Sequence, residues 1–353
     1  MDFHGLSLRR IRYCDRIRGR ARAVKHATPI ALFFVAVALI AASVVAADED
    51  RMCKACGEPI HGSYFETGGR FYHPRCFTCE YCRQPIKNSF TVFRNKNYHT
   101  PCFEEHVALR CAVCGGIIEG RYLLDYWGNA YHTRHKDDVL QCDFCQRFIV
   151  GQLVDGMKRL PDGRCLCTKC APTSITTVRE ARSLLRDAAK KLEKSGISVD
   201  PAPVELHLVG QEELRRIAGE RSHDTKGFTD YLVKKGPFGM VKNEEAKVYL
   251  LNGMPRTQAV ATAAHELMHI WQFQNGRLDQ NPVLSEGSCN FASYLALRRI
   301  GGREADYVID GMLTDPDRVY GEGFRRVKTY AEKNGIPAWL RLLKEKNPDL
   351  SQL

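Results

Sequence analysis

The stretch AVATAAHELMHIWQFQN, Ala259–Asn275, decides how this chain is interpreted, because it holds the pattern His-Glu-x-x-His in a run free of Gly and Pro. Residues four apart share one face of an α-helix, so His265 and His269 can direct two imidazoles at a single metal ion. Glu266 lies one step round the helix, where its carboxylate can take a proton from a water on that metal. The sequence therefore predicts a helix from Arg256 to Gln274 that carries a catalytic zinc. The alternative is a core helix with two hydrogen-bonded histidines and a surface glutamate.

A carboxylate downstream is the predicted third ligand. Glu286 stands seventeen residues beyond His269, in PVLSEGSCN (Pro282–Asn290), at the start of a second helix predicted to run from Ser285 to Ile300. Two histidines and a glutamate, with one position left for water, form the ligand set of thermolysin-like zinc peptidases. The alternative is that the short pattern occurs by chance.

Charge is unevenly distributed along the 353 residues. The net charge is +11, and residues 1–29 hold eight Lys or Arg and two Asp, a net of +6 that leaves +5 for the other 324 residues. No other stretch interleaves basic and aromatic residues, so we expect no nucleic-acid partner. A chain of this length has room for two or three domains.

An apolar segment follows the basic start. Residues 30–47 (IALFFVAVALIAASVVAA) carry no charge and precede Asp48-Glu49-Asp50. This order is typical of a secretory signal peptide with a cleavage site, and the eighteen residues also reach the length of a membrane anchor. Either interpretation of residues 1–47 places residues 48–353 on the non-cytoplasmic side, secreted or held to the membrane through residues 30–47. The alternative is a buried helix of a folded domain.

Sixteen cysteines and histidines stand in pairs with two intervening residues, a spacing that lets both side chains of a pair reach one zinc ion. Two successive pairs complete a tetrahedron, so four closed, structural zinc sites are predicted. Their ligands are Cys53, Cys56, His73 and Cys76; Cys79, Cys82, His99 and Cys102; Cys111, Cys114, His132 and His135; and Cys142, Cys145, Cys167 and Cys170. With the catalytic site, about five zinc ions per chain are expected. The alternative is a disulfide scaffold.

Three cysteines remain outside these pairs. Cys14 lies in the basic tail, and Cys165, two residues before Cys167, is a rival ligand of the fourth site. Cys289 follows Glu286 by three residues and either packs the second helix or acts on the metal as a latency switch. Packing is the favoured role, because a free cysteine generally behaves as a small buried apolar residue.

The first finger run resembles a LIM domain, which is a pair of packed zinc fingers used for protein binding. The resemblance rests on FYHPRCFTC (Phe71–Cys79) and NYHTPCF (Asn97–Phe103) and covers residues 52–105. His99 stands where a LIM domain more often has cysteine. The second run, residues 110–171, is LIM-like but looser, with His135 as an unusual fourth ligand. The resemblance implies protein partners for the fingers.

A change of composition at Pro172 marks the predicted start of a C-terminal domain, residues 172–353. Periodicity and capping residues predict helices over Ile175–Ser195 and Gln211–Ala218 and strands over Pro203–Val209 and Ala246–Leu251. Arg221–Lys242 is predicted to be a loop or lid. We expect Ala246–Leu251 to lie near the cleft, where an extended substrate could pair with it as an added strand. The alternative is an ordinary core strand, and the expected fold is α+β and zincin-like.

A segment near the C-terminus offers candidates for a donor that would hold a developing oxyanion. Tyr320 and Arg325 stand in YGEGFR (Tyr320–Arg325), at the predicted start of a helix. Capping and packing are the favoured roles for both side chains.

The order of these features is similar to that in the plant DA-one family of LIM-containing peptidases that limit organ and seed size. Besides the finger runs, the resemblance rests on Ala264–His269, Asn275-Gly276, Glu286-Gly287 with Cys289, and Tyr320–Arg325. It implies a zinc endopeptidase with His265, His269 and Glu286 as ligands and Glu266 as base, latent until it is ubiquitinated.

The N-terminus departs from that family. Plant members begin with acidic ubiquitin-interacting segments, whereas this chain begins with a basic tail and an apolar run, which argues against ubiquitin as a partner. We expect a zinc-dependent hydrolase of internal peptide bonds that acts on protein substrates and uses its fingers for protein interaction or regulation. The alternative is a LIM-type adaptor with an inactive or latent peptidase domain, although the intact Glu266 favours the enzyme.

Overall fold

The computed structural model describes residues 8–14, 51–136, 139–151, 153, 156–219, 225–235, 241–276, 280–345 and 348. The apolar run 30–47 lies outside these ranges. Among the described helices, none combines the length and the apolar character that crossing a membrane requires. The signal peptide, the membrane anchor and export remain predictions.

Strands and helices alternate irregularly along the chain, as expected for an α+β protein. The strands are β1 Leu8–Cys14, β2 Phe65–Thr67, β3 Arg70–Tyr72, β4 Phe90–Phe93, β5 Lys96–His99, β6 Tyr122–Leu124, β7 Ala130–His132, β8 Met157–Arg159, β9 Cys165–Cys167, β10 Glu205–Val209, β11 Gly227–Lys235 and β12 Val241–Leu251. The α-helices are α1 Thr100–His106, α2 Val178–Glu193, α3 Gln211–Ala218, α4 Arg256–Asn275, α5 Pro282–Ile300, α6 Arg303–Thr314, α7 Gly323–Asn334 and α8 Ile336–Leu342. Residues Thr133–His135 and Ala171–Thr173 form 3₁₀ turns, and Arg318–Glu322 form a π-helical turn.

The chain divides into two compact units, residues 24–139 and residues 140–353 together with residues 1–23. The first unit is built from the antiparallel pairs β2–β3, β4–β5 and β6–β7. Its buried apolar side chains are few, and one cluster joins Phe77, Ile86, Phe90, Tyr98 and Phe103. A core of this size is too small to stabilise such a module alone, which is why the fingers need metal.

The second unit contains a four-stranded sheet in the order β1-β11-β12-β10. Strand β12 is parallel to β10 and antiparallel to β11, and β11 is also antiparallel to β1. The loop prediction for this region is wrong, and so is the prediction that a substrate strand could pair with Ala246–Leu251, whereas its position near the cleft stays a prediction. The segment predicted as a loop or lid, Arg221–Lys242, contains β11, and Ala246–Leu251 lies inside the sheet with neighbours on both sides. No added strand can pair with β12, so the core-strand alternative describes it.

Helix α4 forms the centre of the second unit. Every residue from Gln258 to Gln272 is buried, because the Ala-rich sequence lets other elements pack around the whole circumference of the helix. Helix α5 packs beside it, and the Ser293 hydroxyl donates to the Ala261 carbonyl over 2.7 Å. Helix α5 begins at Pro282, three residues before the predicted start, because Asn281 caps it by accepting from the Val283 amide.

The fourth cysteine cluster packs against the start of α4. The Gln258 side chain donates to the Phe144 carbonyl over 2.5 Å, and the Arg164 guanidinium donates to the Asn252 carbonyl over 2.7 Å. Residues 140–171 therefore share a compact unit with the predicted peptidase domain. The domain boundary at Pro172 remains a prediction.

Candidate metal centres

Helices α4 and α5 bring the three predicted catalytic-zinc ligands together. The Oε2 atom of Glu286 lies 3.3 Å from the Nε2 atom of His265 and 3.5 Å from the Nε2 atom of His269. All three side chains are buried, with Glu286 only 4% exposed. Four donors about 2.0–2.1 Å from a tetrahedral zinc ion lie about 3.3–3.4 Å from one another. The donor set and its spacing therefore fit a zinc ion.

The other nitrogen of each imidazole contacts helix α5. His265 Nδ1 lies 3.0 Å from Asn290 Oδ1, and His269 Nδ1 lies 3.3 Å from the Cys289 sulfur. Because the Oδ1 atom of Asn290 can only accept a hydrogen bond, Nδ1 of His265 carries the proton, and the Nε2 atom of that ring is left with the lone pair a metal needs. Sequence reasoning had not assigned Asn290 a role.

Cys289 lies on the Nδ1 side of His269, opposite the nitrogen that faces Glu286. His265, His269 and Cys289 nevertheless hold potential donor atoms within 4.8 Å of one another. We favour Glu286 as the third ligand, because one carboxylate oxygen faces the Nε2 atoms of both rings. The position of Cys289 then suits an orienting contact to His269.

Glu266 belongs to α4 and is fully buried. Its carboxylate lies against the first residues of β11. The Thr229 hydroxyl donates to its Oε2 atom over 2.6 Å. A Cβ atom added to Gly227 would lie 2.4 Å from its Oε1 atom. Sequence reasoning missed both residues, because they fall in the segment that was predicted as a loop.

Burial and charge act in opposite directions on these groups. Burial raises the pKa of Glu286, but the neighbouring imidazoles of His269 and His265 outweigh it and lower the pKa to about 2. Burial lowers the pKa of His269, because the protonated ring cannot be hydrated there. A negative carboxylate beside a neutral His269 ring is the state that a metal cation requires of these two ligands.

The weak oxyanion candidates, Tyr320 and Arg325, occupy different surroundings. The main-chain carbonyl of Tyr320 accepts from the Asn290 side chain over 3.0 Å, which ties the π-helical turn to the residue that orients His265. The Arg325 guanidinium donates to the carbonyls of Leu313 and Asp315 over 3.1 and 2.7 Å. These bonds cap the end of α6, so Arg325 has the capping role that the sequence favoured. An oxyanion role for Tyr320 remains a prediction.

All four predicted structural clusters assemble as the spacing indicates. In each one the donor atoms lie within 4.8 Å of one another. The measured separations include 3.4 Å between Cys56 Sγ and His73 Nδ1, 3.3 Å between Cys82 Sγ and His99 Nδ1, and 3.6 Å between the sulfurs of Cys145 and Cys167. These clusters fit zinc, and Cys165 is not among the clustered donors.

Three finger histidines are oriented in the same way. Their Nδ1 atoms face cysteine sulfurs, while their Nε2 atoms lie 3.1 to 3.3 Å from main-chain carbonyls. The pairs are His73 with Pro59, His99 with Pro85, and His132 with Ile117. A proton on Nε2 leaves Nδ1 as the ligand atom in each ring. The first three sites therefore share one finger geometry.

Several finger cysteines, Cys53 and Cys79 among them, have lowered pKa values. Burial raises the pKa of Cys53 and of Cys79, but main-chain amides that point at each sulfur lower it to about 6. Thiolates that form near neutral pH bind zinc with little competition from protons.

Comparison with known proteins agrees with this arrangement. Residues 53–105 match the LIM domain family. The chain is 31% identical over 285 residues to Protein DA1-related 2 of Arabidopsis thaliana, covering 70% of this chain and 53% of that protein. It is 28% identical over 286 residues to LIM domain-containing protein HDR3 of Oryza sativa subsp. japonica, covering 70% of this chain and 56% of that protein. The chain thus spans about half the length of these relatives.

The fold and the cysteine clusters define a LIM-domain protein that carries several zinc fingers. The similarity to the DA1-related proteins confirms the resemblance to the DA-one family of LIM proteins that the motifs indicated.

Proposed function

We propose that this chain is a zinc-dependent endopeptidase that hydrolyses internal peptide bonds of protein substrates. The observation that carries the proposal is the position of Glu286, whose Oε2 atom lies 3.3 and 3.5 Å from the Nε2 atoms of His265 and His269. Three donors at this spacing leave one tetrahedral position for water, which distinguishes a catalytic site from a closed structural one.

His265, His269 and Glu286 would hold the metal. Zinc bound there would lower the pKa of a water molecule and polarise the carbonyl of the scissile bond. Glu266 follows His265 in the chain and would accept the water's proton and return it to the leaving amine. The buried carboxylate of Glu286 and the two imidazoles contribute no proton to the reaction.

The fingers are proposed to bind proteins, either to present substrates or to restrain the enzyme. LIM domains generally mediate protein interactions, and the match over residues 53–105 supports this role. Specific partners, membrane association through residues 30–47 and an exported location belong to the same proposal. Because export across a membrane would separate Leu8–Cys14 from β11, this location implies that the exported protein forms the sheet without β1. The second candidate function is a LIM adaptor whose C-terminal unit is catalytically inactive or latent.

The decisive experiment compares cleavage of casein and of a peptide library by the purified chain and by Glu266→Gln. Loss of a general base is expected to lower turnover about 10²- to 10⁴-fold while zinc content stays unchanged. A hydroxamate should bind both proteins, because the metal ligands are intact. Absence of any zinc-dependent turnover by the wild-type chain would favour the adaptor, and failure to bind the hydroxamate would favour a closed structural site.

A further inference from the structure

The first residues of strand β11 lie beside the carboxylate of Glu266: the Thr229 hydroxyl donates to Oε2, and a Cβ atom added to Gly227 would overlap Oε1. We infer that Thr229 is a positioning residue for Glu266, and that Gly227 provides the space in which the carboxylate lies. This inference rests on the proposed function, because it assigns the two residues to the same site. The residues predicted from the sequence lie on helices α4 and α5, and this inference adds two residues of strand β11 to the site.

The hydrogen bond from Thr229 is short and directed at the carboxylate. Thr229 Oγ1 lies 2.6 Å from Glu266 Oε2 and 3.4 Å from the Glu266 main-chain oxygen. A hydroxyl group has one proton to donate, and a separation of about 2.5–2.7 Å is typical of donation to a charged carboxylate. Both side chains are fully buried, so water does not compete for this bond.

Gly227 limits the position of the other carboxylate oxygen. A Cβ atom at this residue would lie 2.4 Å from Glu266 Oε1 and 2.6 Å from Thr262 Cγ2. Both distances are shorter than any van der Waals contact, so a side chain at this residue would force the carboxylate or Thr262 to move. Thr229 holds Oε2 by a hydrogen bond, and Oε1 occupies the space that a side chain at Gly227 would fill. These two constraints restrict rotation of the Glu266 carboxylate about its Cγ–Cδ bond.

Strand β11 is itself held in place by the sheet. Thr229 pairs with Val248 and Phe228 with Tyr249 in the antiparallel register with β12, and Phe228 is buried. The contact to Glu266 is therefore made from a rigid element. Reactive groups held on such elements need less reorganisation in the transition state, which is the advantage that positioning gives to catalysis.

The first test replaces the Thr229 hydroxyl and then restores it. Thr229→Val, which has nearly the same shape, is expected to lower kcat about 10- to 100-fold with KM changed less than about threefold, because the base is displaced and the substrate site is not. Thr229→Ser should recover most of the loss, and zinc content should match the wild type in both. The matched control is Thr91→Val, since Thr91 is a buried threonine of strand β4 whose hydroxyl donates to the Thr100 hydroxyl.

A second variant addresses Gly227. Gly227→Ala is expected to lower kcat at least as much as Thr229→Val, because the added methyl group occupies the position of the carboxylate. Gly210→Ala is the control, since a Cβ atom at Gly210 meets nothing within 4 Å. Wild-type kcat in both Thr229→Val and Gly227→Ala would overturn the inference.

A readout that does not use activity separates this inference from the proposed function. The zinc-loaded wild type, Thr229→Val, Glu266→Met and the double variant form a cycle of melting temperatures. Thr229→Val should lower the melting temperature by about 2–6 °C when Glu266 is present and by less than half as much in Glu266→Met. Equal shifts in the two backgrounds would overturn the inference. If the wild type shows no turnover, the proposed function fails and this cycle still decides the role of Thr229.

Discussion

Three residues of α5 account for the geometry of the candidate zinc centre at the scale of single side chains. Glu286, Cys289 and Asn290 are spaced i, i+3 and i+4, so they share one face of the helix. Glu286 faces the Nε2 atoms of both histidines, while Cys289 and Asn290 face one Nδ1 atom each. One helical face thus supplies a ligand and the contacts that orient the other two ligands.

Replacing Asn290 tests this orientation. Asn290→Ala is expected to weaken zinc binding at the candidate catalytic centre about 10- to 100-fold, because His265 loses the acceptor that fixes its ring. Asn290→Asp retains an acceptor at the same position and should bind zinc more tightly than Asn290→Ala. Zinc affinity is measured by competition with a chelator, and Asn334→Ala, at the end of α7, is the control. Equal affinity in Asn290→Ala and the wild type would remove the orienting role.

Acidification should release zinc from the candidate catalytic centre at a lower pH than from an ordinary histidine site. Protons displace the metal only when its ligands titrate, and burial holds the pKa of His269 below its usual value of 6.5. The pKa of Glu286 is about 2, so this carboxylate stays ionised throughout the range in which the histidine titrates. We therefore expect the centre to retain zinc at pH 6.5 and to lose it as the pH falls further. Zinc content after dialysis at stepped pH values measures this, and half-release above pH 6.5 would contradict it.

Close contact between helices explains two glycine motifs at the scale of secondary-structure elements. A Cβ atom on Gly287 would lie 2.4 Å from the Gly323 main chain, and one on Gly323 would lie 2.5 Å from the Val283 carbonyl. Gly321 is equally restricted, because its Cβ would lie 2.1 Å from the Asp315 carbonyl. Gly287 and Gly323 therefore let α7 approach α5 beside Glu286, and Gly321 lets the π-helical turn approach the end of α6.

The approach of α7 to α5 predicts the result of Gly287→Ala. The added methyl group must push α7 away from α5, at a cost of about 1–3 kcal/mol in the free energy of unfolding. Because Glu286 is the adjacent residue, zinc affinity at the catalytic centre should fall as well. Urea denaturation and chelator competition measure the two effects. Gly151→Ala, which has open space around its Cβ, should change neither, and an unchanged free energy of unfolding in Gly287→Ala would contradict the close contact.

At the scale of the whole molecule, the zinc sites are distributed over two compact units, and each site lies within one of them. Residues 24–139 contain three cysteine-histidine clusters, whereas residues 140–353 contain the four-cysteine cluster and the candidate catalytic centre. All four cysteines of that cluster are buried, and residues beside them bond to the start of α4. The fourth site thus supports the helix that carries His265 and His269.

This distribution predicts how fragments of the chain behave. A fragment of residues 140–353 should fold and hold about two zinc ions, and a fragment of residues 51–139 about three. A fragment that starts at Pro172 lacks the fourth cluster and should melt at a lower temperature or fail to fold, because the start of α4 loses its packing. Elemental analysis and calorimetry measure both quantities. Equal melting temperatures for the fragments starting at 140 and 172 would contradict the supporting role of the fourth site.

Local spacing was enough to predict part of this protein. The limits of α4 and α3, the members of the four finger clusters and the LIM domain follow from the sequence, because i+4 neighbours on a helix and two-residue gaps in a turn fix which side chains share a site. Glu286 was named on its distance along the chain from His269, and the packing of α5 against α4 places its oxygen beside both rings.

The contacts that hold the site together depended on tertiary structure. Asn290, Thr229 and Gly227 carry no local signal, since each acts on a residue 25 or more positions away. Strand β11 was missed because its pairing partners lie in β12 and β1, and strand formation is decided by neighbours across the sheet. Residue types and spacing set the chemistry available to this chain, whereas packing between distant segments decided which atoms meet.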